Sequence, residues 1–208
     1  MKINHAISLG ALALTTVAVG ALRMNSSATA SPTTQNLADW GPKTNPNSAS
    51  SPAERLQRGE HLVLTAGCQD CHTPLKMSAN GPVPDTDRML SGHPEGMPLP
   101  PPPAPSGPWL VSVTATNTAW SGPWGTSFTA NLTPDDETGL GRWTLENFVR
   151  TMKTGKHWGQ GRPILPPMPI PAYRNFSEEE LADIFAYLKS LPAKRNRVPA
   201  PIAPAQGG

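Results

Sequence analysis

Cys68-Gln69-Asp70-Cys71-His72 is the stretch on which the reading of this chain turns. Two thiols three residues apart can both reach the two vinyl groups on one edge of a porphyrin and form thioethers. The imidazole that follows is then delivered to the iron as an axial ligand, and the pattern is that of covalent haem c attachment. Other uses of such a pair fit less well. A structural zinc site needs four ligands, and these are the only two cysteines in 208 residues. A thioredoxin-like redox pair belongs in a strand–helix–strand unit, whereas a helix is expected immediately upstream here. A plain disulfide leaves His72 without a role. Cys68 and Cys71 are therefore the candidate attachment residues for one haem c, and His72 is the candidate proximal iron ligand.

Upstream, Ser51-Pro52-Ala53-Glu54 forms a capping box with proline in the first turn. Leu56, Gly59, Leu62, Val63 and Ala66 follow at helical spacing, and Gly67 is placed to end that helix just before Cys68. A second amphipathic helix is expected over residues 144–154, capped by Thr144 and stopped by Gly155, with Leu145, Phe148, Val149 and Met152 on its buried stripe. A third begins at Ser177, with Glu180 completing another capping box. Leu181, Ile184, Phe185, Leu188 and Leu191 form its apolar face, and Pro192 closes it. Residues 75–130 show little helical or strand periodicity. Prolines crowd residues 98–108, which suits polyproline II backbone, and Trp109, Trp120 and Trp124 suggest that part of this insert packs against something.

The first 30 residues read as an export signal. Lys2 supplies the positive start, residues 6–22 are uncharged and mostly apolar, and Ala28-Thr29-Ala30 is a small-x-small cleavage site. The apolar run is short of the roughly 20 residues a bilayer span needs, so cleavage is the first reading and an N-terminal membrane tether through residues 6–22 the second. Either way the rest of the chain is expected in the periplasm or another extracytoplasmic space. Residues 31–50 look like a flexible linker and residues 199–208 like a disordered tail, leaving 51–198 as the folded domain. Loss of residues 1–30 removes Lys2 and Arg23 and no acids, so 15 of the 17 bases remain against 15 acids. A formally neutral chain with no basic stripe is not built to bind nucleic acid. Apolar residues are 37% and aromatics 6% of the chain, thin for a core filled by side chains alone, and a buried porphyrin would make up volume.

The sixth iron ligand is expected to be Met168, in Pro166-Pro167-Met168-Pro169. A thioether is a weak ligand and gains from a stiff backbone that holds sulfur over the metal, and methionine opposite histidine raises the reduction potential. Met152 is better read as core. Met77, Met89 and Met97 lie in the irregular insert, and His93 and His157 are the histidine alternatives.

These residues together resemble the monohaem cytochrome c family, and more closely the cytochromes that partner periplasmic dehydrogenases in bacteria. The resemblance spans about residues 52–198. It rests on Arg58-Gly59-Glu60-His61-Leu62-Val63 leading into the cysteine pair with Thr73-Pro74 after it, on Asn131-Leu132-Thr133-Pro134 running to Gly139-Leu140-Gly141, on the Met168 loop, and on Tyr187-Leu188-Lys189-Ser190-Leu191-Pro192. It implies an all-α fold in which the first and last helices cross near one haem edge. Gly59 would allow their close approach, and Phe185, Leu188 or Tyr187 would face it. It also implies His72 on one haem face and Met168 on the other. The insert at about 75–130 departs from small soluble cytochromes and would either cover a haem edge or form a docking surface.

Weaker signals are read conservatively. Asp135-Asp136-Glu137 is an exposed turn before it is a calcium site. Arg142 and Trp143 are candidate partners for a haem propionate. The favoured function is electron transfer, the iron cycling between Fe(III) and Fe(II), with a dehydrogenase as donor and an oxidase or another cytochrome of the respiratory chain as acceptor. Such a protein is an electron carrier rather than an enzyme. The rivals are a haem enzyme with an open iron site, of peroxidase or reductase type, and a haem-based sensor or interaction module. Acid-acetone extraction of the exported protein, made in a host competent for haem attachment, is expected to leave the colour on the polypeptide. Complete loss of colour would mean that no thioether exists.

Overall fold

The structure is a computed structural model and describes residues 51–103 and 108–204. The expected export segment, the linker to residue 50 and residues 205–208 of the tail lie outside the described residues.

Helix α1 (Pro52–Thr65) starts at the capping box read from the sequence: Glu54 N donates to Ser51 Oγ at 3.2 Å, and Ser51 N donates back to the Glu54 carboxylate at 2.7 Å. Gly67 then takes a left-handed φ of 70°, which turns the chain directly into α2 (Cys68–His72). Helix α3 (Leu145–Thr154) is capped by Thr144 and ends on left-handed Gly155. A short α4 (Ile170–Tyr173) follows the Met168 loop. Helix α5 (Glu178–Ser190) opens on a second reciprocal capping box, Ser177 with Glu180.

Helices α1 and α5 meet backbone to backbone. A Cβ on Gly59 would stand 2.7 Å from the carbonyl carbon of Asp183 and 2.8 Å from Tyr187 Cβ, so only glycine admits this crossing. Of the facing residues the family pattern offers, Tyr187 is the one that meets Gly59. The contact is locked by charge: Asp183, buried on α5, accepts from Arg55 Nε at 2.9 Å and from Arg58 Nη2 at 2.8 Å, both on α1. Val63, Phe148, Met152, Leu181, Ile184 and Leu188 fill the space between α1, α3 and α5, joined by Leu90 and Leu140 from loops. Burying each such side chain contributes about 1.5–3 kcal/mol. Leu56 and Leu145, expected on buried stripes, are instead 37% and 41% exposed, and neither belongs to the core cluster.

The expectation of an all-α fold is wrong. The insert carries two antiparallel sheets: a hairpin of β1 (Leu75–Ser78) with β2 (Gly81–Pro84), and a three-stranded sheet of β3 (Ser112–Val113), β4 (Ala119–Gly122) and β5 (Gly125–Phe128). Strands of two to four residues are too short to display an alternating pattern, and Pro82 and Pro84 within β2 hide it further. Residues 199–204, read as the start of a disordered tail, also belong to this arrangement. Ile202 and Thr126 exchange backbone hydrogen bonds of 2.8 and 2.9 Å. Trp120 and Trp124 are half-buried, but Trp109 is 76% exposed and does not pack as expected. No helix among the described residues is long and apolar enough to cross a membrane.

Replacing Gly59 with valine is expected to destabilise the fold by about 1–3 kcal/mol, the usual cost of overpacking, seen as a lower denaturant midpoint. An unchanged midpoint would show that the two helices can part without loss.

Candidate haem site

A cavity of about 390 Å³ opens between α2, α3, α5 and the loops around them, a size usual for a cofactor pocket. Cys68, Cys71, His72 and Met168 all line it. The two cysteines sit on α2 at i and i+3, the spacing that places side chains on one helix face. No disulfide joins them. Burial pushes the Cys68 thiol up to about 11, with the charges of Asp70 and Cys71 adding to it, and burial followed by Asp70 raises Cys71 as well.

His72 is buried, and its Nδ1 donates to the Ala130 carbonyl at 2.7 Å. That bond fixes the tautomer and leaves Nε2, which has no hydrogen-bond partner among the described residues, as the ring's free metal-binding atom. Burial lowers the pKa of His72 and the Ala130 bond partly offsets this, so the ring is neutral and its lone pair available. The donor set of two thiols, a neutral imidazole and a thioether therefore suits a covalently held haem.

The Met168 loop is tied down from both sides. Ser127 Oγ, on β5, donates to the Pro166 carbonyl at 2.5 Å, and Ile170 N donates to Met168 O at 2.9 Å. From the opposite wall Tyr173, on α4, donates its hydroxyl to Ala66 O, which joins the end of this loop to the residue before Gly67. Burial, reinforced by Cys68, Cys71 and Asp70, pushes the Tyr173 hydroxyl up to about 12, so it stays a donor.

Of the other ligand candidates, Met152 and His157 also line the cavity. Met152 is at the same time a core residue of α3, as expected. His157 packs edge-on against Trp143 with ring centroids 5.3 Å apart, and burial followed by the neighbouring Arg162 lowers its pKa. His93 is fully buried elsewhere, its Nδ1 2.9 Å from Thr118 Oγ1, and Met77, Met89 and Met97 are not among the lining residues. Trp143 lines the cavity but Arg142 does not, being turned to the exposed surface. The arginines that line the cavity are Arg162 and Arg197, which sequence reasoning passed over, and Arg197 Nη2 lies 3.8 Å from the Glu137 carboxylate. Arg162 sits in a loop closed by the Lys156–Pro163 bridge, and Arg197 follows the last helix, so neither belongs to a helical pattern that would single it out. The acidic run is a turn: Asp135 Oδ1 accepts from Thr138 N at 2.8 Å and Thr138 Oγ1 at 2.6 Å, and these bonds lower its pKa.

The cytochrome c family model matches residues 56–192. The chain belongs to the cytochrome c family, which implies a covalently bound haem c and a part in electron transfer. It is similar to a subunit of the nicotinate dehydrogenase of Pseudomonas putida, 30% identical over 165 residues that make up 78% of this chain and 11% of that protein. It is also similar to the fructose dehydrogenase cytochrome subunit of Gluconobacter japonicus, 26% identical over 77% of this chain and 27% of that protein. The gluconate 2-dehydrogenase cytochrome c subunit of Pantoea cypripedii is 26% identical over 64% of this chain and 22% of that protein. The chain thus spans between about a tenth and a quarter of the length of these relatives.

Tyr173→Phe is expected to cost about 1 kcal/mol of stability, the net worth of one intramolecular hydrogen bond. Denaturant unfolding followed by haem absorbance checks it, and a loss near zero would mean that water replaces the Ala66 contact without penalty.

Proposed function

We propose that residues 51–198 form an electron-carrier domain, not an enzyme, that holds a single haem c. Cys68 and Cys71 attach it, His72 is its proximal ligand and Met168 its distal one. The observation that carries this reading is that these four residues, drawn from two segments about a hundred positions apart, line one cavity. When bound, the haem supplies an iron that exchanges one electron between Fe(III) and Fe(II). The chain's own residues do the rest. Held by His72 and Met168 together, the iron would have no position open to a substrate, which suits a carrier. The apolar wall formed by Leu132, Leu140, Phe148, Ile184 and Leu188 keeps water from the iron's surroundings, which favours the less charged reduced state. Arg162 supplies positive charge suited to a carboxylate such as a propionate, while Arg197 already faces Glu137 at 3.8 Å.

The donor in this reading is a dehydrogenase, as the names of the relatives suggest, and the acceptor an oxidase or another cytochrome of a respiratory chain. The setting is the periplasm or another extracytoplasmic space, reached through the export signal in residues 1–30, with residues 6–22 as the tether if the signal is retained.

Met168→Ala is expected to lower the midpoint potential by on the order of 0.1 V, within the span of about 0.8 V over which axial ligands set haem potentials. It should also convert a low-spin protein closed to carbon monoxide into one that binds it rapidly. An unchanged spectrum and potential would remove Met168 as ligand. Rapid carbon monoxide binding by the unaltered protein would favour an open-iron enzyme instead.

A further inference from the structure

His72 is gripped through its ring and its backbone by two different segments, and one glycine touches both attachments. The ring Nδ1 donates to Ala130 O at 2.7 Å, while the backbone carbonyl of His72 accepts from Gly92 N at 2.8 Å. Gly92 also lies flat against the very peptide that the ring bonds. A Cβ at residue 92 would stand 2.6 Å from both the carbonyl carbon and the carbonyl oxygen of Ala130, and would strike Thr129 O as well. The surrounding backbone is paired across this contact, since His93 N donates to Thr129 O at 3.0 Å and Leu132 N donates to Leu90 O at 2.8 Å. Residues 90–93 of the insert are therefore wedged between the His72 backbone and the carbonyl that holds its ring. The wedge is pinned from outside by the C-terminal segment: Asn196 Nδ2 donates to Ser91 O at 2.7 Å and to His93 O at 2.8 Å, bracketing residue 92.

We propose that Gly92 is a positioning residue for the proximal imidazole: it lets the Ala130 carbonyl sit in full hydrogen-bonding contact with His72 Nδ1 and so lowers the reduction potential of the haem, with Asn196 holding it in register. The proposal rests on His72 being the axial ligand. A carbonyl that accepts from the outer ring nitrogen of a metal-bound histidine makes that histidine more basic. A more electron-rich ligand favours Fe(III) over Fe(II), which is a lower potential. The left-handed φ of 79° at Gly92 does not by itself explain the glycine's role, because Gly96 has a φ of 72° with nothing within 4 Å of its missing Cβ. What sets Gly92 apart is the carbonyl against it.

That pair of glycines supplies the experiment, made on the full-length haem-loaded protein by spectroelectrochemical titration, with the proton resonance of the His72 ring Nδ1–H in the reduced state as a second readout. Gly92→Ala should raise the midpoint potential and move the Nδ1–H resonance upfield, the sign of a weaker bond to the Ala130 carbonyl. Gly96→Ala, which carries the same backbone strain without the contact, should leave both unchanged. Asn196→Ala adds no atoms and removes the two bonds that bracket residue 92, along with the one Asn196 Oδ1 accepts from Glu95 N at 2.7 Å, so it should raise the potential by a smaller amount. The proposal is overturned if Gly92→Ala keeps the potential of the unaltered protein, or if Gly96→Ala shifts it equally. Should Gly92→Ala not accumulate with haem attached, Asn196→Ala decides: an upward shift supports the proposal, and no shift or a downward one overturns it. His72→Ala separates this from the underlying ligand assignment, which fails on its own if that variant retains the low-spin spectrum of the unaltered protein.

Discussion

At Gly59 the backbone of α1 rests on the backbone of α5 with no side chain between them, and Asp183 is drawn toward the same crossing by Arg55 and Arg58. Much of the molecule is built outward from that contact. Because α1 is held at this distance, Gly67 turns the chain at a fixed point and α2 presents both cysteines to the cavity. Because α5 is held there too, Ile184 and Leu188 face that cavity from the far side. The ion pairs make the arrangement costly to disturb, since removing either arginine leaves part of a buried carboxylate uncompensated.

The helices were legible because their signals are local. A capping serine or threonine, an apolar stripe and a glycine or proline stop each lie within one segment, and α1, α3 and α5 begin and end close to where those signals fall. The insert was not legible for the opposite reason. Its strands pair with near neighbours, but what ties them to the rest comes from partners distant in sequence: Leu75 N donates to Thr116 O, Asn117 donates to the Asp70 carbonyl, and Ile202 pairs with Thr126. Each strand is too short to announce itself, and the hydroxyls of Thr114, Thr116 and Thr118 bond one another rather than mark a face.

The candidate site divides along the same line. The cysteine pair and His72 are a contiguous motif, and Met168 stands out through the prolines around it. What orients those side chains is mostly backbone, and a backbone carbonyl leaves no trace in residue identity. Ala130 acts on His72, Ala66 on Tyr173 and Pro166 on Ser127, all through main-chain oxygens. Arg142 drew notice by standing beside Trp143, while Arg162 and Arg197 reach the cavity through loops whose course depends on the finished fold.

The stretch after α5 changes what counts as the unit. Asn196 fastens it to residues 91 and 93, Lys194 to Asn131 and Thr133, and Ile202 to β5, while Arg197, Val198, Pro199 and Pro201 form part of the cavity wall. The family match stops at residue 192. A fragment cut at that homology boundary would keep every helix and still lack one side of its pocket, so the smallest piece able to enclose the cofactor is longer than the piece that kinship defines.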